Sequence, residues 1–279
     1  GMSQDAPELA LSRLLNEYRT VRQKRMEGAS KRKQAEAALL ISGLQQRLLS
    51  SVEAFARTLK VHKGTMERHW EKESEFLAKE TRSTKQLALL SGEIDGDDER
   101  AELTEEELAA VEDAQFEAST TATAEGGDQT SIAQEKKLLD QMEAIAEQAR
   151  GVPDARVSYL IKWIQENMCP GVHLPGKGPT ETHARWNSLR VLIFTEYEDT
   201  KRYLVNMLRV AVNGTDVAEN RIEVFHGPTP PDKREQIKRA FNAPPDKHPV
   251  RILVATDAAR EGLNLQAHCW NLFHFDVPW

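Results

Sequence analysis

Three short runs in this 279-residue chain gather residue types that can handle a phosphate or a ribose. Each follows an apolar stretch. Thr195-Glu196-Tyr197 follows VLIF, and His226-Gly227 follows IEVF. Thr256-Asp257 follows RILVA and leads on through Arg260, Glu261, Gly262 and Asn264. A threonine just past a strand offers both a hydroxyl and a backbone N–H to a phosphate. Asp257 accepts hydrogen bonds and can fix a loop or a neighbouring cation. Gly262 permits close approach of backbone to a ligand. Asn264 carries donors and an acceptor for a ribose or a backbone group. Thr, Asp and Gly are also ordinary loop residues, so residue type alone leaves both readings open.

Other constellations say less. Gly171-x4-Gly176-Lys177 has the outline of a phosphate cradle, but Gly178 stands where a magnesium-binding hydroxyl belongs. No apolar strand precedes it, and Pro170, Pro175 and Pro179 interrupt any helix after it. The motif needs strand, loop and helix in that order, so a connecting loop is the better reading. Cys169, His173 and His183 lack a fourth ligand and a usual metal spacing. No nucleophile–base pair is evident. The expectation is a chain with no metal site and no catalytic residue of its own. Two cysteines, Cys169 and Cys269, exclude a disulfide framework and fit a reducing compartment. No run approaches ~18 apolar residues, and no signal segment is evident. The expected setting is cytoplasmic, with no membrane partner.

The elements that position the three runs are read from periodicity. Apolar runs at 191–195, 222–225, 251–255 and 270–275 suit buried strands. Helical patterns open at Pro153, run from Glu198 to Val212, and span 231–241, with Pro231 suited to a first turn. This alternation predicts an α/β fold with an open parallel sheet. Ligands of such sheets bind at the carboxyl ends of strands, where each candidate run begins.

The first half reads differently. Residues 7–26 and 30–62 have helical periodicity, the second continuing toward Leu90 because no proline separates Pro7 from Pro153. Residues 13–85 hold 17 Lys/Arg against 9 Asp/Glu, whereas 93–128 hold one arginine against 14 acidic residues. The overall charge of −7 hides that contrast. The basic block, Arg32-Lys33 included, could face a polyanion. The acidic block could shield it or simply stay solvated. Thr104 with Glu107 fits a capping box for one short helix, and the rest of 91–130 reads as a disordered acidic linker. Helical periodicity returns at 131–149. The organisation expected is a helical region over 1–90, a linker over 91–130, and an α/β lobe over 131–279.

At this point a resemblance enters. VLIFTEY (191–197) resembles motif IV of superfamily-two helicases. FHG (225–227), with Arg234 and Phe241 beyond it, resembles the strand-turn-helix that follows. ATDAAREGLNLQ (255–266) resembles motif V. HCWNLFHFDVPW (268–279) resembles the strand leading to motif VI, and its Asp-x-Pro-Trp ending favours Swi/Snf-type DNA translocases of bacterial style. DARVSYLIKWI (154–164) resembles the opening helix of the second RecA-like lobe. LQQRLLSSVEAFARTL (44–59) resembles the helical segment between the two lobes.

The resemblance implies an α/β, parallel-sheet RecA-like helicase C-terminal lobe, incomplete before motif VI and preceded by a mostly α-helical region. It implies nucleic-acid contacts at Thr195, Glu196, Tyr197, His226, Gly227, Thr256 and Asp257. It places Arg260, Glu261, Gly262 and Asn264 at the ATP cleft. ATP and Mg would be used only by a complete parent protein, whose first RecA-like lobe carries the phosphate cradle. Double-stranded DNA is the implied partner, read through its backbone, because phosphate contacts carry no sequence information. A non-catalytic interaction module and an RNA helicase lobe are the alternatives.

Overall fold

The computed structural model describes residues 6–77, 104–124, 129–178, 181, 183–225, 229–256, 265 and 267–276. Backbone packing divides the chain into two units that meet at residues 150 and 151.

The first unit is helical: α1 (Pro7–Arg25), α2 (Lys31–Ser50), α3 (Val52–Leu77), α4 (Glu105–Thr123) and α5 (Gln129–Ala149). Helix α1 packs on α2 and α5, and α3 packs on α2 and α5. Leu11, Leu15, Leu44, Phe55, Leu59, Leu139 and Met142 fill the space between them. Three expectations change here. The long helix breaks at Ser51 without a proline. Ser51 is extended, and its hydroxyl accepts the Ala54 N–H at 3.0 Å, so it ends α2 and caps α3. The short helix expected at Thr104 is present as α4, which starts one residue after it and is longer than expected, at 19 residues. Helix α5 belongs with the helices and not with the lobe, because Leu138, Leu139, Met142 and Ala146 are buried in the helical core.

That core contains a polar network. The Arg22 side chain, 1% exposed, donates to the Tyr18 hydroxyl (3.3 Å), to Glu135 (3.4 Å) and to the Thr123 carbonyl (2.9 Å). Arg25 reaches the other Glu135 oxygen at 3.2 Å. With Arg22 donating to it, the Tyr18 hydroxyl gives its own proton to His62 Nε2 (2.6 Å), which leaves Nδ1–H to donate to Thr120 at 2.9 Å. This tautomer is assigned from the network. Burial pushes the Tyr18 hydroxyl up to about 12. Burial, with Arg22 and Arg25 nearby, holds His62 well below its ordinary value. Burial also raises the Glu135 carboxyl, against the pull of the two arginines.

The second unit is the α/β lobe. It comprises α6 (Ala155–Asn167), β1 (Val191–Thr195), α7 (Glu198–Val212), β2 (Ile222–Phe225), α8 (Pro231–Asn242), β3 (Ile252–Thr256) and β4 (Asn271–His274). The strands lie in the order β2-β3-β1-β4, all parallel. Val191 pairs with Ile252, and the register runs through to Thr195 opposite Thr256. Val191, Ile193, Ile252 and Val254 pack with α6 and α7 on one face. Leu253, Ala255 and Phe225 pack with Ile237 and Phe241 of α8 and with Leu265 on the other. Strands buried on both faces require the continuous apolar runs seen in the sequence. Asp154 caps α6, accepting the Val157 N–H at 2.7 Å, and its own N–H donates to the Tyr203 hydroxyl of α7.

The amino edge of the sheet is held by arginines. Arg190, Arg221 and Arg251 each directly precede a strand, and all three are buried. Arg251 donates to the carbonyls of Asn187 (2.7 Å), His248 (2.8 Å), Val250 (2.9 Å) and Pro245 (2.8 Å). Arg221 donates to those of Asp216 and Pro249, and Arg190 to those of Val250 and Phe241. Burial and the neighbouring arginines lower Arg251 to about 10, so it is still charged at neutral pH.

The His62 network gives a pH dependence. Below about pH 6.5 the unfolded chain takes up a proton that folded His62 refuses, so stability falls on acidification by up to about 1.4 kcal/mol per pH unit. Glu135 acts in the opposite sense as the pH approaches the ordinary carboxyl range, because its raised pKa favours the folded, protonated form. The His62→Gln variant therefore isolates the histidine. Urea unfolding between pH 7.5 and 5 should show the wild-type advantage shrinking as the pH falls. Parallel pH profiles for the two proteins would show that His62 contributes nothing to it.

Candidate nucleic-acid interface

Parallel pairing places the ends of β1, β2 and β3 at one edge of the lobe, and of the sequence-predicted residues Thr195, Glu196, Tyr197 and Thr256 are described there. Thr195 ends β1 and is 1% exposed. Its hydroxyl donates to Asp276 Oδ2 at 2.7 Å, and the Glu196 N–H donates to the same oxygen. The Phe275 N–H donates to the Phe194 carbonyl at 2.8 Å, so the chain leaving β4 is laced to the end of β1. In this arrangement neither the Thr195 hydroxyl nor the Glu196 N–H is available to a phosphate. They anchor the loop. The Glu196 side chain is exposed. Tyr197 is half-buried and stands at the N-cap of α7.

The start of α7 also faces this edge, but the helix supplies its own anions. Glu198 and Asp199 lie in its first turn. Glu198 pairs with the buried Lys201 at 2.5 Å, and Asp199 pairs with Arg202 at 2.6 Å. The positive end of the helix dipole is thereby offset.

Thr256 is the contrasting case. It ends β3 directly opposite Thr195 and is 3% exposed, yet its hydroxyl has no hydrogen-bond partner among the described residues. Buried polar atoms are nearly always partnered, so this hydroxyl marks a place where a ligand or a following residue would complete the site. At the end of β2, Phe225 is covered by the Arg234 guanidinium at 5.6 Å, and Arg234 also donates to the Thr229 carbonyl at 2.7 Å. His226, Gly227, Asp257, Arg260, Glu261, Gly262 and Asn264 lie outside the described residues.

Sequence reasoning gave Asp276 no role. Its partners are 80 and 81 positions away, so spacing could not reveal it. The available signal was an acidic residue immediately after an apolar strand. The Gly171–Lys177 stretch lies between α6 and β1 with no strand before it. A Cβ on Gly171 would come within 2.5 Å of the Ala184 Cβ, so Gly171 serves close packing of this loop. No cluster of three or more His, Cys, Asp or Glu among the described residues could hold a metal. No helix among them is long and apolar enough to cross a membrane.

Residues 183–279 match the helicase conserved C-terminal domain. All four strands fall within that helicase domain, and the lobe is a RecA-like helicase C-terminal lobe preceded by a helical region. The chain is also 30% identical over 144 residues to the "Uncharacterized ATP-dependent helicase YqhH" of Bacillus subtilis (strain 168). That stretch is 52% of this chain and is longer than the helicase domain alone, so the likeness reaches outside it. The chain spans 22% of that protein's length. No solved structure matches the chain.

The Asp276 carboxylate is expected to hold the carboxyl edge of the helicase domain together. Hydrogen bonds to a charged group contribute about 1.5–3 kcal/mol each. Asp276→Ala should therefore cost about 2–4 kcal/mol in urea unfolding, and amide exchange at 195–198 should accelerate more than at β3. Unchanged exchange at 195–198 would show that the clamp is dispensable.

Proposed function

We propose that the chain is the second lobe and adjoining helical region of an ATP-dependent DNA translocase of Swi/Snf type. In this reading the carboxyl edge of the lobe follows the sugar–phosphate backbone of duplex DNA. The lobe also completes an ATP cleft whose phosphate cradle belongs to another lobe. The helicase match over all four strands supports the motor. The single observation that carries the nucleic-acid edge is the buried Thr256 hydroxyl at the end of β3, which has no hydrogen-bond partner among the described residues. Backbone contact suits a motor that must step along any sequence.

In this reading the nucleotide phosphate site is not supplied by this chain. ATP hydrolysis needs a cradle, a magnesium carboxylate and a charge-stabilising arginine. The only Gly-x4-Gly-Lys run, at 171–177, is a packed connecting loop. ATP and Mg would accordingly be held by the complete parent protein, with 260–264 contributing to the cleft. The chain by itself should hydrolyse no ATP above background, with or without DNA.

The test is fluorescence anisotropy with labelled duplex DNA, single-stranded DNA and structured RNA, repeated over a salt series. Duplex binding should weaken steeply as salt rises. Thr256→Val should weaken it severalfold without unfolding the lobe, whereas Thr195→Val should reduce stability through the lost Asp276 bond. Duplex binding roughly 20-fold weaker than binding to structured RNA, about 1.8 kcal/mol, would replace the DNA translocase with an RNA helicase lobe. ATP turnover by highly purified chain would overturn the two-lobe division of labour.

A further inference from the structure

The helical unit pairs a row of arginines with carboxylates from one of its own helices. Helix α4 presents three carboxylates to three arginines of α2 and α3. Arg47 meets Glu112 at 3.0 Å, Arg57 meets Asp113 at 2.8 Å and Arg68 meets Glu117 at 2.6 Å. Arg57 and Arg68 are eleven residues apart on α3, three turns along nearly the same face, or about 16 Å. That distance corresponds to about five base pairs of duplex axis.

The attachment of α4 is uneven along its length. Its C-terminal half is fixed by buried contacts: Thr120 to His62, and the Thr123 hydroxyl and carbonyl to Arg22. Phe116 lies edge-on to His62 at 6.3 Å and passes over Gly43. Toward its N-terminal end α4 buries Leu108, and the rest of its hold is ion pairs, of which Arg47–Glu112 is the most covered. The Arg68 and Glu117 side chains are 56% and 52% exposed, and Asp113 is 40% exposed. Pairs this exposed contribute little and are screened by salt.

We propose that Arg47, Arg57 and Arg68 form a nucleic-acid backbone surface that α4 covers with its own carboxylates, and that duplex DNA competes with α4 for it. The charge contrast favours nucleic acid over another partner. The arginines belong to a block with 17 basic and 9 acidic residues, and the covering helix belongs to one with 14 acidic residues and a single arginine. A segment of that composition, laid on guanidinium groups at 2.6–3.0 Å, occupies them as phosphates would. The proposal rests on the nucleic-acid reading above for the identity of the competitor. The helical surface and the lobe edge are separate surfaces, each tested by its own substitutions.

The experiment compares the full chain with its E112Q/D113N/E117Q variant, using labelled duplex DNA in a salt series. Uncovering the arginines should tighten binding about tenfold and steepen the log K against log[salt] slope by about 2–3. Adding R57Q and R68Q should abolish the gain. If the unmodified chain binds DNA but the triple variant gains nothing, α4 is merely mortar and this inference alone fails. If neither binds, the nucleic-acid reading fails as well. Hydrogen exchange on the unmodified chain gives an independent reading that needs no variant to fold. Saturating duplex DNA should speed exchange across 106–117 while 119–123 stays protected. Unchanged exchange there, with DNA bound, would overturn the proposal.

Discussion

The lobe depends on parallel pairing between β1 and β3. Parallel strands cannot be joined by tight turns, so α7 and α8 cross opposite faces of the sheet and bury its central strand β3 on both. All strand ends of one kind then gather on one edge. Each edge presents a different surplus of backbone groups, and the molecule answers the two differently. At the amino edge, Arg190, Arg221 and Arg251 extend planar donors to the carbonyls of the incoming loops, with Arg190 stacked on Phe241 and Arg221 on Trp186. At the carboxyl edge a carboxylate does the complementary work, with Asp276 collecting a hydroxyl and an N–H from the end of β1. Three guanidinium groups so close together are tolerable because carbonyl oxygens surround them. The lowered pKa of Arg251 records the remaining cost.

Local patterns were legible in the sequence wherever burial on two faces leaves a continuous apolar run. The strands at 191–195 and 222–225 follow from the apolar runs, as do α7 and α8, and the third strand, read at 251–255, lies one residue later at 252–256. The order of the strands does not follow from those runs. Nothing in the run RILVA says that it inserts between β1 and β2. Helix interruption was misjudged for a related reason. Proline is the breaker that periodicity analysis watches for, and the break here is made by a serine whose hydroxyl offers its neighbour's N–H an alternative partner. Helix α5 looked like the first element of the lobe because it precedes α6. Its apolar stripe fits the helical core equally well as a pattern, and only packing distinguishes the two destinations. The acidic segment misled through its average, since composition dilutes the few residues, Leu108, Phe116, Thr120 and Thr123, that seat α4.

The helical unit accepts buried charge where apolar side chains of similar volume would be cheaper. Its network links α1, α3, α4 and α5 through Arg22, Tyr18, His62, Thr120, Thr123 and Glu135. An apolar core tolerates alternative packings of similar energy. A network of directional bonds does not, because a shifted helix would leave an arginine or a carboxylate buried without its partner. Such an arrangement fixes where the C-terminal half of α4 sits, which a segment so rich in carboxylates could not achieve by hydrophobic burial.

Two threonines at equivalent places in the sheet show what sequence could and could not say about the site. Thr195 and Thr256 both end parallel strands, face each other in register and are nearly fully buried. From residue type and position they are interchangeable, and both are reasonable phosphate contacts. A residue 81 positions away separates them. Asp276 accepts a hydrogen bond from the Thr195 hydroxyl and makes it a structural anchor, while Thr256 has no equivalent partner among the described residues. A hydroxyl that is satisfied within the fold steadies the edge, and one that is not leaves a buried polar atom at the same edge. The division of labour therefore arises from where β4 ends, since β4 delivers Asp276 beside β1 and not beside β3.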